Sequence, residues 1–249
     1  MRRAFQTLFF ALLLLHPGGG IRAEAIRVAS ASNFMTVMPT LVEAFEAQTG
    51  HDVILIPGSS GKHYAQILNG APFEAFFSAD ARRPAELERR GRIVDGSRFT
   101  YAIGRLVLWS PVPGLVGDGA DTLGSGAFRR LAIANPRLAP YGEAARQTLE
   151  SLGLWNGLQD RLVRGENVAQ AFQFVHSGNA ELGLVALSQL VGRNGGSQWL
   201  VPADRYAPIE QQAVLLREGP ARSFLDWVRS EAARDIIEAG GYLAPGSSR

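Results

Sequence analysis

Four short stretches carry most of the chemical potential of this chain: Ala29-Ser30-Ala31-Ser32-Asn33-Phe34, Pro57-Gly58-Ser59-Ser60-Gly61-Lys62, Asn135-Pro136-Arg137-Leu138-Ala139-Pro140-Tyr141-Gly142 and Gly165-Glu166-Asn167-Val168. Ser32 and Asn33 are helix-capping types, whose side chains can satisfy unpaired amides of a first turn. Ser59 and Ser60, set between Gly58 and Gly61, offer hydroxyl donors and a backbone that a ligand can approach closely. Pro140 belongs at the start of a helix, which puts Tyr141 at a helix N-terminus. Val168 has no useful side-chain chemistry and would act through its main chain. Capping is the plain alternative for Ser32 and Asn33, and packing on a neighbouring lobe is the alternative for Tyr141. Together, four helix N-termini with hydroxyl and amide donors describe an anion site. Each hydrogen bond to a charged ligand is worth about 1.5–3 kcal/mol, so about seven would hold a dianion at sub-micromolar levels. A lining made only of donors would reject a protonated anion, whose O–H would meet no acceptor.

Other chemistries fit less well. A nucleotide-binding loop of the form G-x-x-x-x-G-K-[ST] fails, because Ile56 stands where its first glycine belongs and His63 follows Lys62. A serine hydrolase using Ser59 or Ser60 lacks the G-x-S-x-G elbow, and His63 lacks an evident acidic partner. The chain has no cysteine, and His51, His63 and His176 are widely scattered, which argues against a zinc or iron site, and no cofactor is expected. Lys62 is the only lysine. No arginine stripe with interleaved aromatics points to nucleic acid.

The elements that must position these residues begin after residue 25. Arg2 and Arg3, an apolar run from Phe5 to Leu15 and the small residues of Ala23-Glu24-Ala25 form the pattern of a secretory signal cleaved after Ala25. The apolar run is shorter than the ~20 residues of a membrane span. The whole chain has 25 Lys+Arg and 23 Asp+Glu, and losing the signal leaves 22 of each. A soluble, periplasmic mature protein is expected.

Short apolar runs then alternate with amphipathic ones. Strands are expected at Ile26–Ala31, Val53–Ile56 and Ala75–Ala79, with helices over Asn33–Gln48, Gly61–Leu68 and Arg83–Arg90. This βαβαβ rhythm predicts parallel strands. A second cycle has strands at Leu106–Ser110, Leu131–Ala134 and Leu182–Ala186, and helices at Gly142–Leu152 and Glu166–Val175. A strand near Gln212–Leu216 and helices at Ala221–Arg229 and Glu231–Ala239 follow. Pro111–Gly126 and Gly192–Pro202 read as loops. Two cycles suggest two α/β lobes, with a site where strands end and helices begin.

These same segments, with Gly70-Ala71-Pro72-Phe73-Glu74-Ala75-Phe76-Phe77-Ser78-Ala79-Asp80 and Glu181-Leu182-Gly183-Leu184-Val185, resemble the periplasmic molybdate-binding proteins of ABC importers over essentially all of the mature chain. The resemblance implies an α/β, two-lobed class II periplasmic-binding-protein fold with the ligand in the cleft between lobes. It implies residues 26–104 plus 210–249 as lobe 1 and 105–209 as lobe 2, joined near Gly104 and Tyr206–Ile209. Molybdate or tungstate would be the ligand, a membrane permease the partner, and the protein a non-enzymatic monomer. Carried over by position, Ser32 and Ser60 match hydroxyl ligands and Val168 a backbone-amide ligand. Ala186 replaces a tyrosine used by one branch, so Asn33 and Tyr141 match the ligands of another branch. Sulfate or another tetrahedral oxyanion is the alternative. Asp80 is expected to support the hinge or lobe interface, and Arg82 and Arg83 to form a solvated helix start, with contact to the membrane permease as the alternative.

Overall fold

The computed structural model describes residues 25–246, so the first 24 residues of the expected signal lie outside the described region. The strands are β1 Ile26–Ala31, β2 Val53–Gly58, β3 Ala75–Ser78, β4 Phe99–Gly104, β5 Leu106–Ser110, β6 Leu131–Ala134, β7 Leu162–Gly165, β8 Leu182–Ala186, β9 Ser197–Leu200 and β10 Ile209–Leu215. The helices are α1 Met38–Thr49, α2 Ser60–Leu68, α3 Arg82–Arg89, α4 Gly119–Ser125, α5 Pro140–Ser151, α6 Val168–His176, α7 Ala221–Val228 and α8 Glu231–Ala239. They build two five-stranded sheets, ordered β2-β1-β3-β10-β4 and β7-β6-β8-β5-β9.

Burial explains the central strands. Every residue of β3, β5, β6 and β8 is buried, as expected of apolar runs covered by helices on both faces. In α1, Met38, Leu41, Val42 and Phe45 form the stripe that enters the core of the first lobe. Gly50 ends that helix with φ 73°, a left-handed conformation that glycine adopts without a steric penalty.

The parallel expectation holds for β2-β1-β3 and for β7-β6-β8. The remaining pairings are antiparallel: β10 with β3 and β4, and β5 with β8 and β9. The reason is topological. β5 follows β4 after the single residue Arg105, and β10 returns from the second lobe, so each enters its sheet from the interlobe side while β3, β4 and β8 end there.

Several expected elements change. The helix over Asn33–Gln48 is broken into a 3-10 turn at Phe34–Thr36 and α1, with Pro39 near the start of the latter. β4 and β7 were not expected. The stretches read as loops contain α4 and β9. α4 has two glycines but is capped by Asp118, which accepts from the Ala120 amide (3.2 Å), and the Trp199 ring lies against Gly119. β9 is a half-exposed edge strand with little apolar signal.

Candidate functional site

Ser32, Asn33, Ser60, Tyr141 and Val168 all line one small interlobe cavity. Gly58, Ser59, Ala139, Pro140 and Asn167 complete much of its wall. The cavity lies where β1 and β2 end and where α2, α5 and α6 begin.

Ser60 is the first residue of α2 and is 1 % exposed. Its Oγ accepts from the Ala79 amide at 2.9 Å, so its own proton remains to be donated. Ser59 caps the helix by accepting from the Lys62 amide (3.3 Å). The loop rests on His63, whose Nε2 lies 3.2 Å from the Ser30 carbonyl and Nδ1 3.1 Å from Gln66 Oε1. Burial lowers the His63 pKa below its ordinary value, against the opposing effect of the Gln66 contact. A Cβ at Gly58 would stand 2.6 Å from the His63 ring, so this position requires glycine.

In α6, Asn167 is the cap and accepts from the Gln170 amide at 3.0 Å. That bond leaves the amide of Val168, the first helical residue, to face the cavity. Ser32 accepts from the Ala169 amide across the cleft, at 3.4 Å. In α5, Ala139 supplies no side-chain cap, leaving the Tyr141 amide open to a ligand.

Tyr141 and Asn33 send their side-chain polar groups elsewhere. The buried Tyr141 hydroxyl accepts from Gln211 Nε2 (3.4 Å). Burial raises its pKa well above the ordinary phenol value. Asn33 Nδ2 donates to Gln211 Oε1 (2.8 Å) and to the Tyr242 hydroxyl (3.0 Å), which commits both of its amide protons. Asn33 makes no side-chain cap bond, so simple capping does not account for it. With these side-chain groups engaged, both residues would meet a ligand through their main-chain N–H groups. Gln211, Tyr101, Tyr242 and Ser188, which hold this arrangement, went unnoticed in the sequence. They lie up to 209 positions from Asn33 and form no local motif.

Around the cavity the lobes touch directly. The Gly61 amide donates to the Leu138 carbonyl at 2.8 Å, and a Cβ at Gly61 would meet that same oxygen at 2.8 Å. Lys62 Nζ pairs with Glu166 Oε1 at 2.9 Å, with both side chains about half exposed. Arg83 is buried, not solvated as its sequence position suggested: it pairs with Asp80 and donates to the Arg137 carbonyl (3.2 Å) in the other lobe. Among the described residues, no carboxylate lines the cavity.

Two α/β lobes closed over an uncharged cage of donors define a bilobal solute-binding protein. The chain belongs to the family of bacterial extracellular solute-binding proteins, which it matches over residues 26–243. It is 49% identical to the molybdate-binding protein of Azotobacter vinelandii over 228 residues, covering 89% of this chain and 90% of that one. The molybdate-binding protein of Rhodobacter capsulatus is 44% identical, with 89% of each chain covered. The solved structure of the Azotobacter vinelandii periplasmic molybdate-binding protein superposes with a TM-score of 0.85 at 45% identity, covering 88% of this chain and 99% of that one.

Proposed function

We propose that this chain binds molybdate in the interlobe cavity and hands it to the permease of an ABC importer. The observation that carries this reading is the lining: Ser32 and Ser60 hydroxyls and the amides of Asn33, Tyr141 and Val168, with no carboxylate among the described residues. Such donors suit a fully ionised tetrahedral oxyanion and stabilise it without a countercharge. The molybdate-binding relatives support that choice of ligand. Tungstate, of the same charge and shape, is an equivalent ligand on this chemistry. A hydrolytic role has no support, since His63 spends its ring nitrogens on Ser30 and Gln66 and leaves Ser60 unactivated.

In this reading residues 26–104 with 210–249 form lobe 1 and 105–209 form lobe 2. The protein works as a periplasmic monomer after loss of residues 1–25. Calorimetric titration of the ligand-stripped mature protein with molybdate, tungstate and sulfate tests the ligand. One-to-one binding of the first two without sulfate heat is expected. Tight sulfate binding, or no heat from any of the three, overturns the assignment.

A further inference from the structure

A buried polar cluster lies behind the cavity and joins it to the crossing strands. Gln211, on β10, is fully buried. Its Oε1 accepts from Asn33 Nδ2 (2.8 Å) and from the Tyr101 hydroxyl (3.0 Å), while its Nε2 donates to the Tyr141 hydroxyl (3.4 Å). Asn33 belongs to the lobe built on the first sheet, and Tyr141 starts a helix of the other lobe. A single carboxamide therefore grips one cavity-lining segment from each lobe.

The backbone is shaped to allow this. The β4–β10 register shifts between Gln211 and Gln212, and such a bulge re-aims a side chain. At Gly104, the end of β4, a Cβ would stand 2.3 Å from the Tyr141 hydroxyl oxygen and 2.7 Å from Gln211 Nε2. The crossing strand is bare where the cluster passes it. Tyr242 anchors the other side of Asn33, with its hydroxyl 2.9 Å from the Asn33 carbonyl and 3.1 Å from Ser188 Oγ.

We propose that Gln211 is a positioning residue that couples occupation of the cavity to lobe closure, through its simultaneous hold on Asn33 and Tyr141. The Asn33 bond fixes the loop that presents a main-chain N–H to the anion. The Tyr141 bond joins the two lobes and breaks when they separate, so it stabilises the closed form without touching ligand. Burial raises the phenols of Tyr101 and Tyr141 and pushes Tyr242 up to about 12, which keeps the cluster neutral near pH 7.

The identity of the ligand rests on the molybdate reading, but closure can be read without ligand. The chain lacks cysteine, so spin labels can be placed uniquely at Ala47→Cys and Asn156→Cys, one on each lobe. Interlobe distances would be measured with and without molybdate, and molybdate dissociation followed by stopped-flow fluorescence. Tyr141→Phe keeps the Gln211–Asn33 bond and removes only the interlobe one. It should speed dissociation about fivefold, the effect of one neutral hydrogen bond, with association unchanged and the ligand-free distances shifted outward. Adding Tyr141→Phe to Gln211→Met should cause no loss beyond that of Gln211→Met, because both remove the same bond.

Unchanged dissociation and distances in Tyr141→Phe would overturn the proposal, as would additive losses in the double variant. So would a hundredfold loss of affinity with unaltered ligand-free distances, which would make the phenol a direct ligand contact. Tyr141→Phe decides the matter even if Gln211→Met fails to fold. Failure of the unsubstituted protein to bind molybdate would instead remove the ligand assignment, leaving the ligand-free distances as the test of coupling.

Discussion

At the scale of single residues, a donor's value depends on what its other atoms are doing. Ser60 accepts from the Ala79 amide, which orients its hydroxyl and frees its proton. Ser60→Ala removes that donor and leaves the buried Ala79 amide without its acceptor. A loss of about ten- to a hundredfold in molybdate affinity is expected by titration, since a hydrogen bond to a charged group is worth about 1.5–3 kcal/mol. Val168 calls for a different substitution, because its contribution is an amide. Proline is well suited to the first position of a helix, and the extended backbone of Asn167 (φ −146°, ψ 174°) is compatible with a following proline. Val168→Pro should therefore lower affinity by a similar factor with α6 intact, whereas Val168→Ala, which keeps the N–H, should bind nearly as the unsubstituted protein does. Equal losses in the two variants would show that Val168 acts through its side chain. The five proposed site residues were singled out at strand-to-helix junctions and by resemblance to relatives, and the structure brings them to one cavity. The atoms they present were not legible, because Asn33 and Tyr141 are turned by partners far away in the chain.

At the scale of elements, legibility followed burial. β3, β5, β6 and β8 are continuous apolar runs with every residue buried, and their apolar character is local. β9 and α4 gain order from tertiary contacts such as Trp199 on Gly119, which composition does not display. The antiparallel direction of β10 follows from the return of the chain between lobes, and only the resemblance to relatives suggested that return. The start of α2 shows how close the lobes come. The Gly61 φ lies outside the left-handed region, so alanine is compatible with its backbone. The added methyl would nevertheless meet Leu138 of the other lobe. Gly61→Ala should leave the melting temperature of the ligand-free protein nearly unchanged and weaken binding at least tenfold by blocking closure. A matching fall in ligand-free stability would place the clash within one lobe.

At the scale of the whole molecule, the question is whether net charge or enclosed donors hold the anion. With the expected signal removed, the chain carries 22 residues of each sign. The only lysine, Lys62, is paired with Glu166. That pair spans the lobes but is about half exposed, and exposed ion pairs are worth little and are screened by salt. Lys62→Met should therefore weaken molybdate binding by no more than about fivefold. The buried donors behave differently, since neutral amides and hydroxyls in an enclosed cavity are not screened as surface charges are. Between about 0.1 and 1 M salt the Debye length falls from about 10 to about 3 Å, yet affinity should change by less than about threefold. Titrations across that range, for the unsubstituted protein and Lys62→Met, separate the two sources. A steep decline with salt that disappears in Lys62→Met would assign the binding energy to Lys62. A flat response in both would assign it to the donors at the helix N-termini and to the closure that encloses them.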